Sequence, residues 1–287
     1  MKKLLLIFLA FVLGINIHAQ DYKVTFMPSE ITFLPFRANF EEARIGVLYY
    51  SENANLKLDL GGTTEILGIE YPASKAKLTF GIEFMAYALS TSYSGRRLQI
   101  DAVDGFFGGH ASFVKFADNG KYLARFRIIH NSAHLVDGHY DETLKRWMND
   151  DKPIPFTRDF GELTFAREQI AGDYQLKYYG GVAYATLVRP SQLKKYSFSA
   201  GMELHTNKFY SEFFDDNLNL FFAYNFVLKG MPVYTGNNHF MLGAKFGEWY
   251  GKGLVFYLSY FAGKNVFSEY YTNSIKRFGI GFYVDIF

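Results

Sequence analysis

The sequence predicts an all-β protein, an antiparallel transmembrane barrel of about twelve strands. Three observations lead to this fold class. Apolar and polar residues alternate with period two over most of the chain, which is typical of strands with one face toward lipid. Phe and Tyr contribute 31 and 22 residues against 2 Trp, and such residues gather where a barrel meets the membrane surfaces. After residue 15 no apolar run is long enough for a membrane-spanning helix.

The last strand shows the alternation most clearly. Its apolar set consists of Phe278, Ile280, Phe282, Val284 and Ile286, with small or polar residues between them. This strand resembles the C-terminal strand of bacterial outer-membrane β-barrels, which ends on an aromatic residue and serves as the assembly signal. The resemblance implies recognition by the barrel assembly machinery. Phe287 is out of phase with the apolar set, and only a bulge would restore its register.

The N-terminus has the pattern of a secretory signal peptide. Two lysines precede an apolar run from Leu4 to Ile15, and small or polar residues follow it. We expect cleavage after Ala19 or Gln20. A membrane-anchoring helix is the alternative, but the run is shorter than the ~20 residues that a spanning helix needs. Export across the inner membrane and residence in the bacterial outer membrane follow from this interpretation.

Three segments are predicted along the chain. Residues 1–20 form the signal peptide, residues 21–42 a periplasmic lead segment, and residues 43–287 the barrel. Short turns on the periplasmic side and long connections outside are expected of such barrels, and the longest predicted connection is 136–162. The segment 207–217 is an exception, since it is long for a periplasmic connection. Ambiguity before residue 72 allows fourteen strands instead of twelve.

Composition excludes several classes of function. The formal charge of +2 falls to zero once the two leader lysines are removed, so no nucleic-acid partner is expected. There is no Cys, which excludes disulfides, a lipid-modified cysteine and thiol chemistry. The expected partners are outer-membrane lipids and lipopolysaccharide. Oligomeric state is left open.

Charged residues at inward-facing positions carry both signs. They are Asp101, Glu83, Arg125, Arg127, Glu203, Lys245 and Asp285. Because opposite charges can neutralise one another in a packed network, we favour a filled lumen over an open pore.

One segment holds residue types that could carry out chemistry. If Arg125 and Arg127 face the lumen, alternation puts His130 and Ser132 on the lipid-facing side, near the outer end of their strand. Residues two apart on a strand lie ~6.6 Å apart at ~3.3 Å per residue, so the imidazole can reach the hydroxyl. Such a pair can work as general base and nucleophile. The alternative is that these residues only meet lipid headgroups.

The pair His130-Asn131-Ser132 resembles the His-x-Ser pair of outer-membrane phospholipase A and of lipid A deacylases. The resemblance implies an acyl-ester hydrolase with Ser132 as nucleophile and His130 as base. Those enzymes carry an orienting Asn or Glu on the neighbouring strand. Glu162 is the first candidate for that role here, and Asp137 is the second.

A wider resemblance covers most of the region from Asp101 to Phe287. Its motifs are H-N-S-A-H-L-V-D-G, L-T-F-A-R-E, Y-Y-G-G and G-M-E-L, in that order. They are similar to a family of bacterial outer-membrane barrels classed as a domain of unknown function. In the first motif this chain departs from the family at Ala133, Val136 and Gly138. The resemblance implies no known activity.

A metal site is not predicted. His130 and His134 would be ~13 Å apart on a continuous strand, too far to share one ion. Only a bend after Ala133 would bring them toward Asp137 and His139. No cofactor is expected, and calcium enters only if the chain is an esterase. Two functions therefore remain: a barrel with a structural, transport or interaction role, and an outer-leaflet lipid hydrolase.

Overall fold

The computed structural model describes residues 1–14, 22–93, 97–136, 140–141, 143–147, 154–211 and 216–286. In chain order the elements are α1 (Lys2–Gly14), β1 (Lys23–Phe26), β2 (Ile45–Tyr50), β3 (Asn55–Tyr71), β4 (Ala76–Tyr93), β5 (Arg97–Ala117), β6 (Gly120–Leu135), β7 (Tyr140–Asp141), β8 (Arg146–Trp147), β9 (Phe156–Ala171), β10 (Tyr174–Arg189), β11 (Tyr196–Ser211), β12 (Asp216–Gly230), β13 (Tyr234–Gly247), β14 (Gly253–Lys264) and β15 (Ser274–Asp285). Short 3₁₀ turns lie at Pro72–Ser74 and Ser268–Tyr270.

Twelve of these strands close an antiparallel barrel. Each pairs with its neighbours along the chain, the small β7–β8 hairpin lies apart, and β15 closes the ring by pairing with β2. β1 adds to β3 beside the part that β2 leaves unpaired. The predicted fold class and the count of twelve are therefore confirmed. Among the described residues, no helix combines the length and apolar character that a membrane crossing requires.

The predicted facing of the last strand agrees with the structure. Phe278, Ile280 and Phe282 are 39%, 57% and 43% exposed on the outer wall, whereas Tyr283 and Asp285 are buried inside. The out-of-phase Phe287 lies outside the described residues. An apolar outer face and a polar inner face are what a lipid-embedded barrel requires.

Connection lengths differ between the two ends of the barrel. One end has tight connections, such as the residues 118–119 and 172–173, and the other has the longest, between Leu135 and Phe156. By the usual asymmetry the first end is periplasmic and the second is the outer end. The exception at 207–217 is largely strand, because β11 runs to Ser211 and β12 begins at Asp216.

The segment predicted as a periplasmic lead enters the barrel instead. β1 pairs with the periplasmic part of β3, and the Thr32 backbone N–H donates to Glu65 Oε1 over 2.7 Å, so residues up to Thr32 remain near that end. Farther on, Phe33, Phe36 and Phe40 are buried in the lumen. The prediction for residues 21–42 is thus wrong from about residue 33, because these rings need burial and a twelve-stranded barrel leaves an interior to fill.

Charges hold this lumenal segment, which we call the plug (residues 33–44). Arg37 Nη1 lies 2.7 Å from Asp285 Oδ2, and the Arg37 backbone N–H donates to Glu203 Oε1 over 2.6 Å. Glu42 accepts a hydrogen bond from Arg125 Nη1 over 3.0 Å. Plug and wall therefore share one ion-pair network, in agreement with the predicted filled lumen.

The first helix lies on the outer wall. Leu4 and Phe8 of α1 are buried in a cluster with Phe113, Ala124 and Phe126. The rings of Phe8 and Phe126 are 6.3 Å apart. These wall residues face outward, so the apolar helix covers surface that would otherwise meet lipid.

Candidate active site on the outer wall

Alternate side chains of β6 lie in two different environments, the lumen and the outer wall. Arg125 and Arg127 are 4% and 2% exposed and lie in the lumen, whereas Ile128 is 47% exposed on the outer wall. The His130 side chain, two residues farther on the outer face, is 35% exposed. Ser132 follows on the same face, three residues before β6 ends. The alternation therefore predicts the facing of this segment, and both polar side chains lie toward the outer end.

His130 has a carboxylate partner on the next strand. Asp159 of β9 is its direct cross-strand neighbour, and His130 Nδ1 lies 2.6 Å from Asp159 Oδ1. The Asp159 side chain is 40% exposed, so the pair lies on the outer surface. In the neutral imidazole, donation of Nδ1–H to the carboxylate puts the lone pair on Nε2, which is the tautomer that a general base uses.

Ser132 lies in an open position of the wall. Its cross-strand neighbours are Gly105 on β5 and Thr157 on β9. A Cβ built on Gly105 would lie 4.0 Å from Ser132 Oγ, so the glycine leaves space beside the hydroxyl. In the described part of the chain, no hydrogen bond joins Ser132 to His130. Catalytic hydrogen bonds of this kind are often long before substrate binds.

Neighbouring strands complete this patch. The Phe107 ring on β5 packs against the His130 imidazole, with ring centroids 4.8 Å apart. The Thr186 hydroxyl on β10 donates to the Asp159 carbonyl oxygen over 3.2 Å. Four strands therefore fix the position of the His130–Asp159 pair, which favours a stable geometry.

The sequence prediction of Glu162 as the orienting residue is wrong. Glu162 faces the lumen, where its Oε1 accepts a hydrogen bond from Arg127 Nη1 over 3.2 Å. Asp159 is three positions earlier and therefore on the opposite face of β9. Because Glu162 faces inward, alternation along β9 puts Asp159 on the outer face, and this alternation is the signal that would have pointed to Asp159. The second candidate, Asp137, lies outside the described residues, as does His139.

No metal centre is present among the residues that the structure describes. No group of three His, Cys, Asp or Glu side chains there converges on a point that could hold an ion. His134 faces outward at the end of β6. Its separation from His130 follows from the extended strand.

A second Ser–His pair lies inside the barrel, and the sequence analysis missed it. Ser259 Oγ lies 2.8 Å from His239 Nε2, and His239 Nδ1 lies 2.6 Å from the Ala38 carbonyl oxygen of the plug. Phe40 stacks on the imidazole at 4.0 Å. Both His239 and Ser259 are 2% exposed. This arrangement anchors the plug, because both ring nitrogens are occupied and lipid has no access.

Comparison with known proteins adds the family. The family model of DUF1207, a protein of unknown function, matches residues 59–285. The chain belongs to this family. The match begins within β3 and ends in β15, so the DUF1207 region contains the outer patch and every wall strand from β3 onward, but neither β2 nor the plug. No curated protein matches this DUF1207 chain in sequence.

Two solved structures resemble the DUF1207 barrel. The beta domain of the Bordetella autotransporter BrkA shares 13% identity at a TM-score of 0.41, over 83% of this chain and 94% of that one. Outer-membrane OmpT of Vibrio cholerae shares 11% identity at a TM-score of 0.35, over 94% and 100% of the two chains. Both are outer-membrane barrels, and neither likeness carries an argument about role.

Proposed function

We propose that this DUF1207 protein is an acyl-ester hydrolase that acts on outer-leaflet lipids of the bacterial outer membrane. Ser132 is the nucleophile, His130 the general base, and Asp159 orients the imidazole. The observation that carries the proposal is the 2.6 Å His130–Asp159 hydrogen bond on the outer wall, on the same face of β6 as Ser132. Residues 1–20 act as the leader that exports the chain.

The position of the three residues along the wall fits this role. Charged groups on the lipid face of a barrel cost ~2–4 kcal/mol at the bilayer midplane and almost nothing near the interface. His130 and Asp159 lie close to the outer ends of β6 and β9, whose limits there are Leu135 and Phe156. In this proposal the pair lies at the level of the acyl esters of outer-leaflet lipids, between headgroups and chains.

The proposed reaction has two steps, acylation of Ser132 and hydrolysis of the acyl-enzyme. Ser132 Oγ attacks the ester carbonyl while His130 Nε2 takes the hydroxyl proton, and the imidazolium is stabilised by Asp159. The lipid alcohol leaves with that proton, and the acyl group stays on Ser132. Water then gives its proton to His130 and attacks the acyl-enzyme. A free fatty acid is released, and the proton returns to Ser132.

A passive pore role has less support. The lumen contains buried ion pairs such as Arg127 with Glu83, where Nε lies 2.8 Å from Oε1. Arg127 Nη2 also donates to the Glu41 carbonyl oxygen of the plug over 3.0 Å. A solute would have to displace this network, which favours a function on the outer wall over one in the lumen.

The test is release of free fatty acid from native outer-membrane lipids by refolded protein, with and without calcium. Wild type is compared with Ser132→Ala and with His134→Ala, a matched change of an outward polar residue on the same strand. Heat-modifiable migration verifies folding. We expect release by wild type and His134→Ala and none by Ser132→Ala. Absence of release from folded wild type would leave a barrel with a structural role.

A further inference from the structure

The outer wall has a hollow directly below His130. It is an open depression of about 570 Å³, bordered on one side by α1, and is lined mainly by apolar side chains. Its principal residues are Phe80, Phe107, Gly109, Ala111, Ile128 and His130. Leu5 of α1 forms one side, and Gly81, Gly108 and the buried His110 lie in the floor.

The register of three strands explains the shape of the hollow. Along β5 the outward residues run Phe107, Gly109 and Ala111, and these lie opposite His130, Ile128 and Phe126 of β6. Two small residues in succession form a floor between taller neighbours. Ile128 and Phe80, on either side, are 47% and 41% exposed and form the flanking ridges.

The direction of the hollow follows from strand direction. β5 descends from the outer end, so Ala111 lies nearer the bilayer centre than Phe107, which packs against His130. The hollow therefore begins at the His130 imidazole and extends toward the hydrocarbon core. A lipid acyl chain leaves its ester in this same direction.

An aliphatic side chain already lies against this surface. Leu5 of α1 forms part of the wall of the hollow, and Phe8 one turn later packs on Phe126. Since α1 belongs to the predicted leader, its removal would expose the same apolar surface to lipid. The surface thus accommodates an aliphatic group and contains no Asp, Glu, Lys or Arg.

We propose that the hollow binds one acyl chain of the lipid whose ester lies at Ser132 and His130, and that it determines acyl-chain preference. This inference rests on the proposed function for the position of the ester. A displaced chain returns to a bilayer as apolar as the wall, so association here comes from packing rather than the hydrophobic effect. The hollow therefore mainly positions the ester.

The first experiment compares Ala111→Leu with Ala200→Leu. Ala200 is an exposed lipid-facing alanine on β11, remote from the hollow. Esters of short and long acyl chains are hydrolysed by each protein in mixed micelles. We expect Ala111→Leu to lower kcat/KM for long chains by roughly threefold to tenfold, because only packing and positioning are lost. For short-chain esters kcat/KM of Ala111→Leu should equal that of wild type, and Ala200→Leu should equal wild type for both chain lengths. The same dependence of kcat/KM on chain length in the two variants would overturn the proposal.

A second experiment does not depend on turnover. Ser132→Ala protein, which retains the hollow, is reconstituted with a phospholipid that carries a photoreactive acyl chain, and labelled peptides are mapped. We expect labelling concentrated on residues 107–111 and reduced by the further change Ala111→Leu. Uniform labelling around the barrel would contradict acyl-chain binding in the hollow, even if wild type hydrolyses lipid. Labelling concentrated on residues 107–111, together with no hydrolysis by wild type, would contradict the proposed function but support acyl-chain binding in the hollow.

Discussion

His130 and Asp159 face each other across the β6–β9 ladder, with 2.6 Å between Nδ1 and Oδ1, on the side of the wall that meets lipid. Positions of the same parity farther from the rim, such as Ile128 and Leu163, are apolar. The hydrogen bond restricts the imidazole to one orientation and one tautomer. The pair therefore has the arrangement of a general base oriented by its carboxylate.

The first prediction concerns the positioning residue. Asp159→Asn should lower kcat for ester hydrolysis by about 10²–10⁴ with little change in KM, because the amide favours the wrong tautomer of His130. Asp159→Glu should retain part of the activity, since it restores a carboxylate. Steady-state kinetics on a micellar ester measures both constants. Equal losses in Asp159→Glu and Asp159→Asn would indicate a purely structural role.

The second prediction concerns the nucleophile. A fluorophosphonate should form a covalent adduct with Ser132, because a serine hydroxyl activated by an imidazole attacks phosphorus. The adduct should be absent in His130→Ala. Mass spectrometry of the digested protein locates the modified residue. The buried Ser259, which is 2% exposed, serves as internal control, and modification there instead of at Ser132 would contradict the assignment.

The third prediction concerns the ion pairs of the lumen. Arg127→Met should destabilise the barrel by ~3–5 kcal/mol, because Glu83 would keep a buried charge without its ion-pair partner. Urea unfolding of vesicle-embedded protein measures this loss. Arg146→Met, on the exposed face of β8, is the matched control and should change the stability by less than about 0.5 kcal/mol. A loss no larger than the control's would mean that the network contributes little.

The fourth prediction concerns the plug. Removal of residues 33–44 should raise the single-channel conductance in planar bilayers, because the segment occupies the lumen of a twelve-stranded barrel. Heat-modifiable migration selects folded protein for the recording. Arg37→Met, which breaks the pair with Asp285 but leaves the apolar rings, should conduct less than the deletion. Unchanged conductance in the folded deletion would mean that other parts of the chain close the lumen.

The facing of most wall residues could be predicted, because a strand with lipid on one side and a polar lumen on the other must alternate apolar and polar residues. The outward facing of Phe278, Ile280 and Phe282 in β15 needs only the sequence. The same rule predicts the facing of His130 and Ser132. It could not identify Asp159 as the cross-strand neighbour of His130, because that pairing depends on the exact register of β9 after a long connection.

The sequence by itself determined the all-β class, a strand count of twelve or fourteen, and the surface on which His130 and Ser132 lie, since each follows from a local period of two. Only the tertiary structure decided that Asp159 is the partner of His130 and that residues 33–44 turn back into the barrel. Both are contacts between segments distant in the chain. Such contacts depend on barrel closure and on the pairing of lumenal charges, which no local pattern encodes.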